Sequence, residues 1–177
     1  MLSPLTIRAG VVRHGSLYVA ANADRAFGAA AAYLGRDAVM RGIIDKAEHA
    51  SAPLHLKVNR HDDDSYDPNS RTVNWDPHSA LVTTGGGRQS PALGLGHELD
   101  HATVGSRIRD LGSEIPDRAY DDREERRVIL GSERHAAKTL GEATRHDHGG
   151  STYYVASPIA RRASGYAGSL RAFSLAG

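Results

Sequence analysis

At 177 residues the chain is long enough to bury a real core and falls within the single-domain range, so one domain spanning residues 1–177 is expected. Its 22 Lys and Arg residues nearly balance 21 Asp and Glu, which removes any global electrostatic case for nucleic acid or an anionic membrane as partner. Cysteine is absent, which excludes disulfides, thiolate metal sites and cysteine nucleophiles and leaves His, Asp and Glu as metal ligands.

The opening MLSPLTIRAGVVRHG lacks the basic start and apolar run of a classical signal, and no stretch approaches the length of a membrane span. A soluble protein is expected. Val11-Val12 and Leu17-Tyr18-Val19 flank Arg13-His14-Gly15-Ser16 and predict two short strands joined by a tight turn. An alanine-rich segment then runs to Ala50, with Asn22 or Asp24 as candidate cap of a first helix and Asp37 as the start of a second ending near His49. Pro53 stops that helix, and Leu54 to Val58 alternates like a half-buried strand. His61-Asp62-Asp63-Asp64 reads as a solvated loop, because it lacks the glycine and terminal glutamate of a calcium-binding loop. Arg71 to Asp76 predicts a strand that pairs with Leu54–Val58, with Trp75 as a packed aromatic. Thr83 to Gln89 is glycine-rich but has no Lys-Ser/Thr after it, so it is no phosphate loop.

Ser90-Pro91 is a serine cap with proline at the first helical position. The helix it starts carries His97-Glu98-Leu99-Asp100-His101, an H-E-x-x-H pattern. Residues four apart share a helical face, so His97 and His101 can bind one zinc ion while Glu98 reaches a metal-bound water without being a ligand. Such a match also arises by chance, and context decides. At about 100° per residue, Leu93 and Val104 fall near the histidines, with Ile108 if the helix passes Gly105; Leu95, Leu99 and Ala102 lie opposite. A buried central helix follows, where two unpartnered histidines would be costly.

A catalytic zinc has three protein ligands and an open position. Asp121-Asp122 can cap a further helix running to Leu140, with Gly141 at its end. On that wheel Glu125 lies with Ile129, Ser132, Ala136 and Leu140, whereas Glu124 falls about 100° away, which selects Glu125 as third ligand. The competing reading makes Asp122 and Glu125 an ordinary capping pair.

HELDHA, followed by EERRVILGSE and then LGEATRHDH, resembles the NleD-like effector metallopeptidases, and around HELxHA and Glu-Glu-x-Arg it is similar to clostridial neurotoxin light chains. The resemblance covers chiefly residues 70–148. It implies zinc held by His97, His101 and Glu125, Glu98 as general base, and Arg145 at the family's oxyanion-stabilising arginine. His148 stands where the family has tyrosine, and the spacing before Gly131 is one residue longer than the family's. Tyr153 and Tyr154 are further candidates for the oxyanion contact. The implied protein is a zinc-dependent endopeptidase, an effector or toxin secreted without a classical signal, whose partner is a protein substrate in a target cell. The alternative is a non-catalytic, zinc-stabilised binding module; a zinc deaminase is set aside for want of cysteine ligands. The expected fold is α+β and zincin-like, a small sheet packed against the H-E-x-x-H helix and a second ligand-bearing helix, with a loosely packed tail from residue 157 to 177.

Overall fold

The computed structural model describes residues 10–62, 64–104 and 115–163. Strands β1 (Val11–His14) and β2 (Leu17–Ala20) form the expected hairpin, and β2, β3 (Leu54–Val58) and β5 (Thr72–Trp75) run parallel. The short β4 (Ser65–Asp67) lies antiparallel on β5, giving a mixed five-stranded sheet in the order β1-β2-β3-β5-β4. Strand alternation directs Leu17, Val19, Leu54, Leu56, Val73 and Trp75 into one core.

Helices α1 (Asp24–Leu34) and α2 (Ala38–Glu48) add Phe27, Leu34, Met40 and Ile43 to that core, each buried side chain stabilising the fold by about 1.5–3 kcal/mol. Asp37 caps α2, accepting from the N–H groups of Val39 and Met40, both at 3.0 Å. Neither Asn22 nor Asp24 caps α1. Ala23 holds that position without a side-chain bond, and Asp24 faces His14 at 2.7 Å instead.

Helix α3 (Pro91–Val104) packs against α1, α2, β4 and β5, and every residue from Pro91 to Ala102 except Gly94 is buried. Its start is fixed several times over. Ser90 Oγ accepts from the Leu93 N–H at 3.3 Å, and Glu142 accepts from the Ser90 N–H at 2.6 Å and hydroxyl at 2.7 Å. The fully buried Trp75 donates its indole N–H to the Pro91 carbonyl at 2.8 Å, which pins β5 to the same point. Gly105 and Ile108 lie outside the described residues.

A second sheet, order β10-β6-β7, joins β6 (Ser79–Thr83), β7 (Arg88–Gln89) and β10 (Gly150–Tyr154). The glycine-rich segment Thr83 to Gln89 is thus largely the turn of the β6–β7 hairpin. A small ribbon, β8 (Pro116–Asp117) with β9 (Asp121–Asp122), leads into α4 (Arg123–Val128), where Asp122 caps the Glu124 and Glu125 N–H groups at 2.8 and 2.9 Å. A π-helical turn, Ile129–Glu133, separates α4 from α5 (Arg134–Leu140), and Gly141 ends α5 at φ +69° in the left-handed region. The expected fold class, α+β, is observed. No described helix is long and apolar enough to cross a membrane. Of the tail, residues 164–177 lie outside the described residues.

Candidate metal centre

His97 and His101 stand one turn apart on α3, and the capping of α4 brings Glu125 over them. Their Nε2 atoms are 3.0 Å apart, and the Glu125 carboxylate places one oxygen 2.9 Å from His97 Nε2 and the other 3.2 Å from His101 Nε2. These three buried or half-buried side chains form a group able to hold a metal ion.

Proton counting shows why the group suits a cation. His97 Nδ1 lies 2.8 Å from Glu133 Oε2, and His101 Nδ1 lies 3.0 Å from Glu124 Oε1. An ionised carboxylate only accepts, so each Nδ1 carries a proton, and each ring, if neutral, would turn an Nε2 lone pair toward the other. Two lone pairs and a carboxylate converging at about 3 Å are held by positive charge, a proton or a metal ion. The same balance appears in the acid–base chemistry. Burial alone would lower the His97 pKa, yet hydrogen bonds to Glu125 and Glu133 outweigh it and push it up to about 10. Burial opposes ionisation of Glu125, but His101 and His97 hold its carboxyl well below the usual range.

Behind the ligands the carboxylates are themselves paired. Glu133, 1% exposed, receives Arg145 Nε at 2.9 Å, Arg145 Nη2, and Gln89 Nε2 at 2.8 Å. Glu124 pairs with Arg127, whose guanidinium also meets both oxygens of Asp100 at 3.0 and 3.2 Å, and Ser132 donates to Asp100. Each ligand histidine thus has its own carboxylate–arginine support, the arrangement that fixes tautomer and ring orientation at metal sites.

Glu98 sits beside the ligands, its Oε1 4.0 Å from His97 Nε2, and burial raises its pKa despite the nearby histidines. His148 reaches the outer side of Glu125, Nε2 to Oε2 at 3.3 Å, with Nδ1 against Asp121 at 2.5 Å. Arg145 is placed differently from expectation. Its Nε and Nη2 contact Glu133, and Nη2 lies 3.2 Å from His97 Nδ1, the ring nitrogen turned away from the ligand triangle. Tyr153 gives its hydroxyl to the Arg161 carbonyl at 2.7 Å, and Tyr154 is exposed and stacked on His78. Neither tyrosine has a described contact with the ligand triangle.

Sequence reasoning missed Glu124, Glu133, Asp100 and Arg127 as supports. For the three acids the signal was present: carboxylates at buried helical positions, each needing a partner such as Arg127. It also missed Asp64, assigned to a solvated loop. Asp64 Oδ1 accepts the Asp76 N–H at 2.7 Å, and Oδ2 lies 2.9 Å from where a Cβ on Gly94 would stand. Gly94 precedes His97 by three residues and Glu98 by four, so its bare backbone admits a carboxyl to the face of α3 that carries them. Burial pushes the Asp64 pKa well up, with Glu98 and Asp76 adding to the effect.

The chain matches no protein-family model, no curated protein and no solved structure.

Proposed function

We propose that the protein is a zinc-dependent endopeptidase, an effector or toxin of the NleD-like kind that its motifs resemble, delivered without a classical signal to cleave a protein of a target cell. The observation that carries this reading is the convergence of His97 Nε2, His101 Nε2 and the Glu125 carboxylate, with Nδ1 of each histidine spent on a carboxylate. Two imidazoles and one carboxylate are the donor set of a catalytic rather than a purely structural zinc site.

Zinc bound there would polarise the scissile carbonyl and ease deprotonation of a water molecule. Glu98, on the same helical face and outside the ligand triangle, takes that proton and returns it to the departing amine nitrogen. Burial, which raises its pKa, makes it a stronger base for taking that proton. His148, held between Asp121 and Glu125, offers an Nε2 donor to the oxygen on which negative charge develops. Glu133 with Arg145, and Glu124 with Arg127, keep the two ligand rings from turning.

Glu98→Gln tests the reading. Zinc content and thermal unfolding should match the parent, while chelator-sensitive cleavage of target-cell lysate proteins, mapped by new N-termini, falls by about 10²–10⁴-fold. Cleavage unchanged in Glu98→Gln would defeat the mechanism. Zinc binding without chelator-sensitive cleavage by the parent protein would favour the zinc-stabilised binding module.

A further inference from the structure

On the far side of β7 from Gln89, Arg88, Arg161 and Arg162 line an open cavity of about 760 Å³, whose other walls include Ala143, Ile159 and Ala160. The arginines ion-paired among the described residues are Arg126, Arg127 and Arg145; these three are not. Arg88 lies over the Tyr153 ring, 5.4 Å from its centroid, and Arg161 spends one nitrogen on the Gly141 carbonyl at the end of α5. Both guanidiniums are positioned by neutral groups. Arg162 is exposed.

Glu142, between the lining residues Gly141 and Ala143, is 8% exposed and committed to Ser90 and to the Tyr33 hydroxyl at 2.7 Å. The chain carries a net charge of only +1, so the three arginines are a local excess and not a sample of a basic surface. Residues 164–177, outside the described residues, contain no Asp or Glu side chain and one further arginine. A concave site with an apolar wall and no exposed aromatic ring among its lining residues suits neither base stacking nor a flat lipid surface.

We infer that this cleft docks an acidic, extended segment of a protein partner, its carboxylates meeting Arg88, Arg161 and Arg162 while an intervening apolar side chain seats against Ala143, Ile159 and Ala160. Docking needs neither the metal nor Glu98, and it stands whether or not the chain is a protease. For a protease it would hold a substrate at a distance from the bond being cut.

The test is fluorescence anisotropy of the full chain with a fluorescein-labelled peptide of paired glutamates flanking single leucines. Saturable binding is expected, equal with and without chelator and in Glu98→Gln, and weakened about tenfold by screening in about 0.5 M salt. Arg88→Glu combined with Arg162→Glu should weaken it at least about tenfold, and the exposed single change Arg162→Ser several-fold, with circular dichroism unchanged. Serine in place of the leucines should also weaken it. Absence of saturable binding, affinity indifferent to both variants, or tighter binding to phosphatidylserine vesicles or a single-stranded oligonucleotide would overturn the inference.

Discussion

Imidazole is a good metal ligand only when its proton sits on the other nitrogen, and here two buried glutamates enforce that choice. Glu133 does so for His97 and Glu124 for His101. Changing Glu133 to Gln keeps the shape but offers a neutral amide, and zinc affinity should fall about 10–100-fold in competition with a chromogenic chelator. Arg145 separates two roles cleanly. As the partner of a carboxylate 1% exposed, its replacement by Ala strands a buried charge and should cost about 3–5 kcal/mol of folding stability in urea. If Arg145 served only the developing oxyanion, activity would fall and the urea midpoint would stay. Burial opposes ionisation of Glu133, yet Arg145 and His97 hold its carboxyl far below the usual range, so the pair persists at every pH where the protein would be assayed.

At the scale of elements, glycines in the helices do opposite things. A Cβ on Gly96 would stand 2.7 Å from Met40 Sδ and 3.4 Å from Leu34 Cδ2, so this glycine lets α3 lie close against α1 and α2. Gly96→Leu should destabilise by about 1–3 kcal/mol through overpacking. Gly28, within α1, meets nothing within 4 Å, and Gly28→Ala should stabilise by about 0.5–1 kcal/mol through backbone entropy alone. The cap of α2 carries a pH dependence. Burial opposes ionisation of Asp37, but bonds from Met40, Thr139 and His135 outweigh it and lower its pKa. A carboxyl depressed in the folded state contributes fully above its unfolded pKa of about 4 and loses that contribution as pH falls through the folded value. Asp37→Ala should therefore cost about 1–2 kcal/mol at neutral pH and progressively less in acid, read from urea midpoints across pH.

The elements read correctly from sequence are those with local chemistry: the hairpin at Gly15-Ser16, β3 after Pro53, the Ser90-Pro91 and Asp122 starts, and the Gly141 stop. The π-helical turn at Ile129–Glu133 has no such mark, and a wheel drawn at about 100° per residue runs straight through it. Across the π turn Ser132 and Glu133 both face α3, meeting Asp100 and His97. The wheel also treated Glu124 and Glu125 as alternatives. Both face inward, one toward Nδ1 of His101 and the other toward the Nε2 atoms, because α3 offers a surface wide enough for two adjacent positions. Asp64 and the β6–β10 pairing depend on residues far apart in the chain, and no local periodicity reports such contacts.

For the whole molecule the ligand triangle is a tie between α3 and α4, which otherwise meet through buried polar groups. Metal bound only by the folded chain stabilises it by about 4 kcal/mol at a free concentration a thousand times Kd. At this chain length that is roughly 8–16 °C in Tm. Chelation should produce a fall of that size in the parent and in Glu98→Gln, and none in Glu125→Ala. The proton balance gives the linkage its sign. With His97 held up to about 10, the triangle carries a proton throughout the neutral range, and metal must displace it. Apparent zinc affinity should then rise by about tenfold per pH unit between roughly pH 6 and 9 as one proton is released. Calorimetry in buffers of different ionisation enthalpy counts that proton directly. A binding enthalpy independent of buffer would mean that the ring nitrogens were already bare, and that the surrounding carboxylates do not hold positive charge between them.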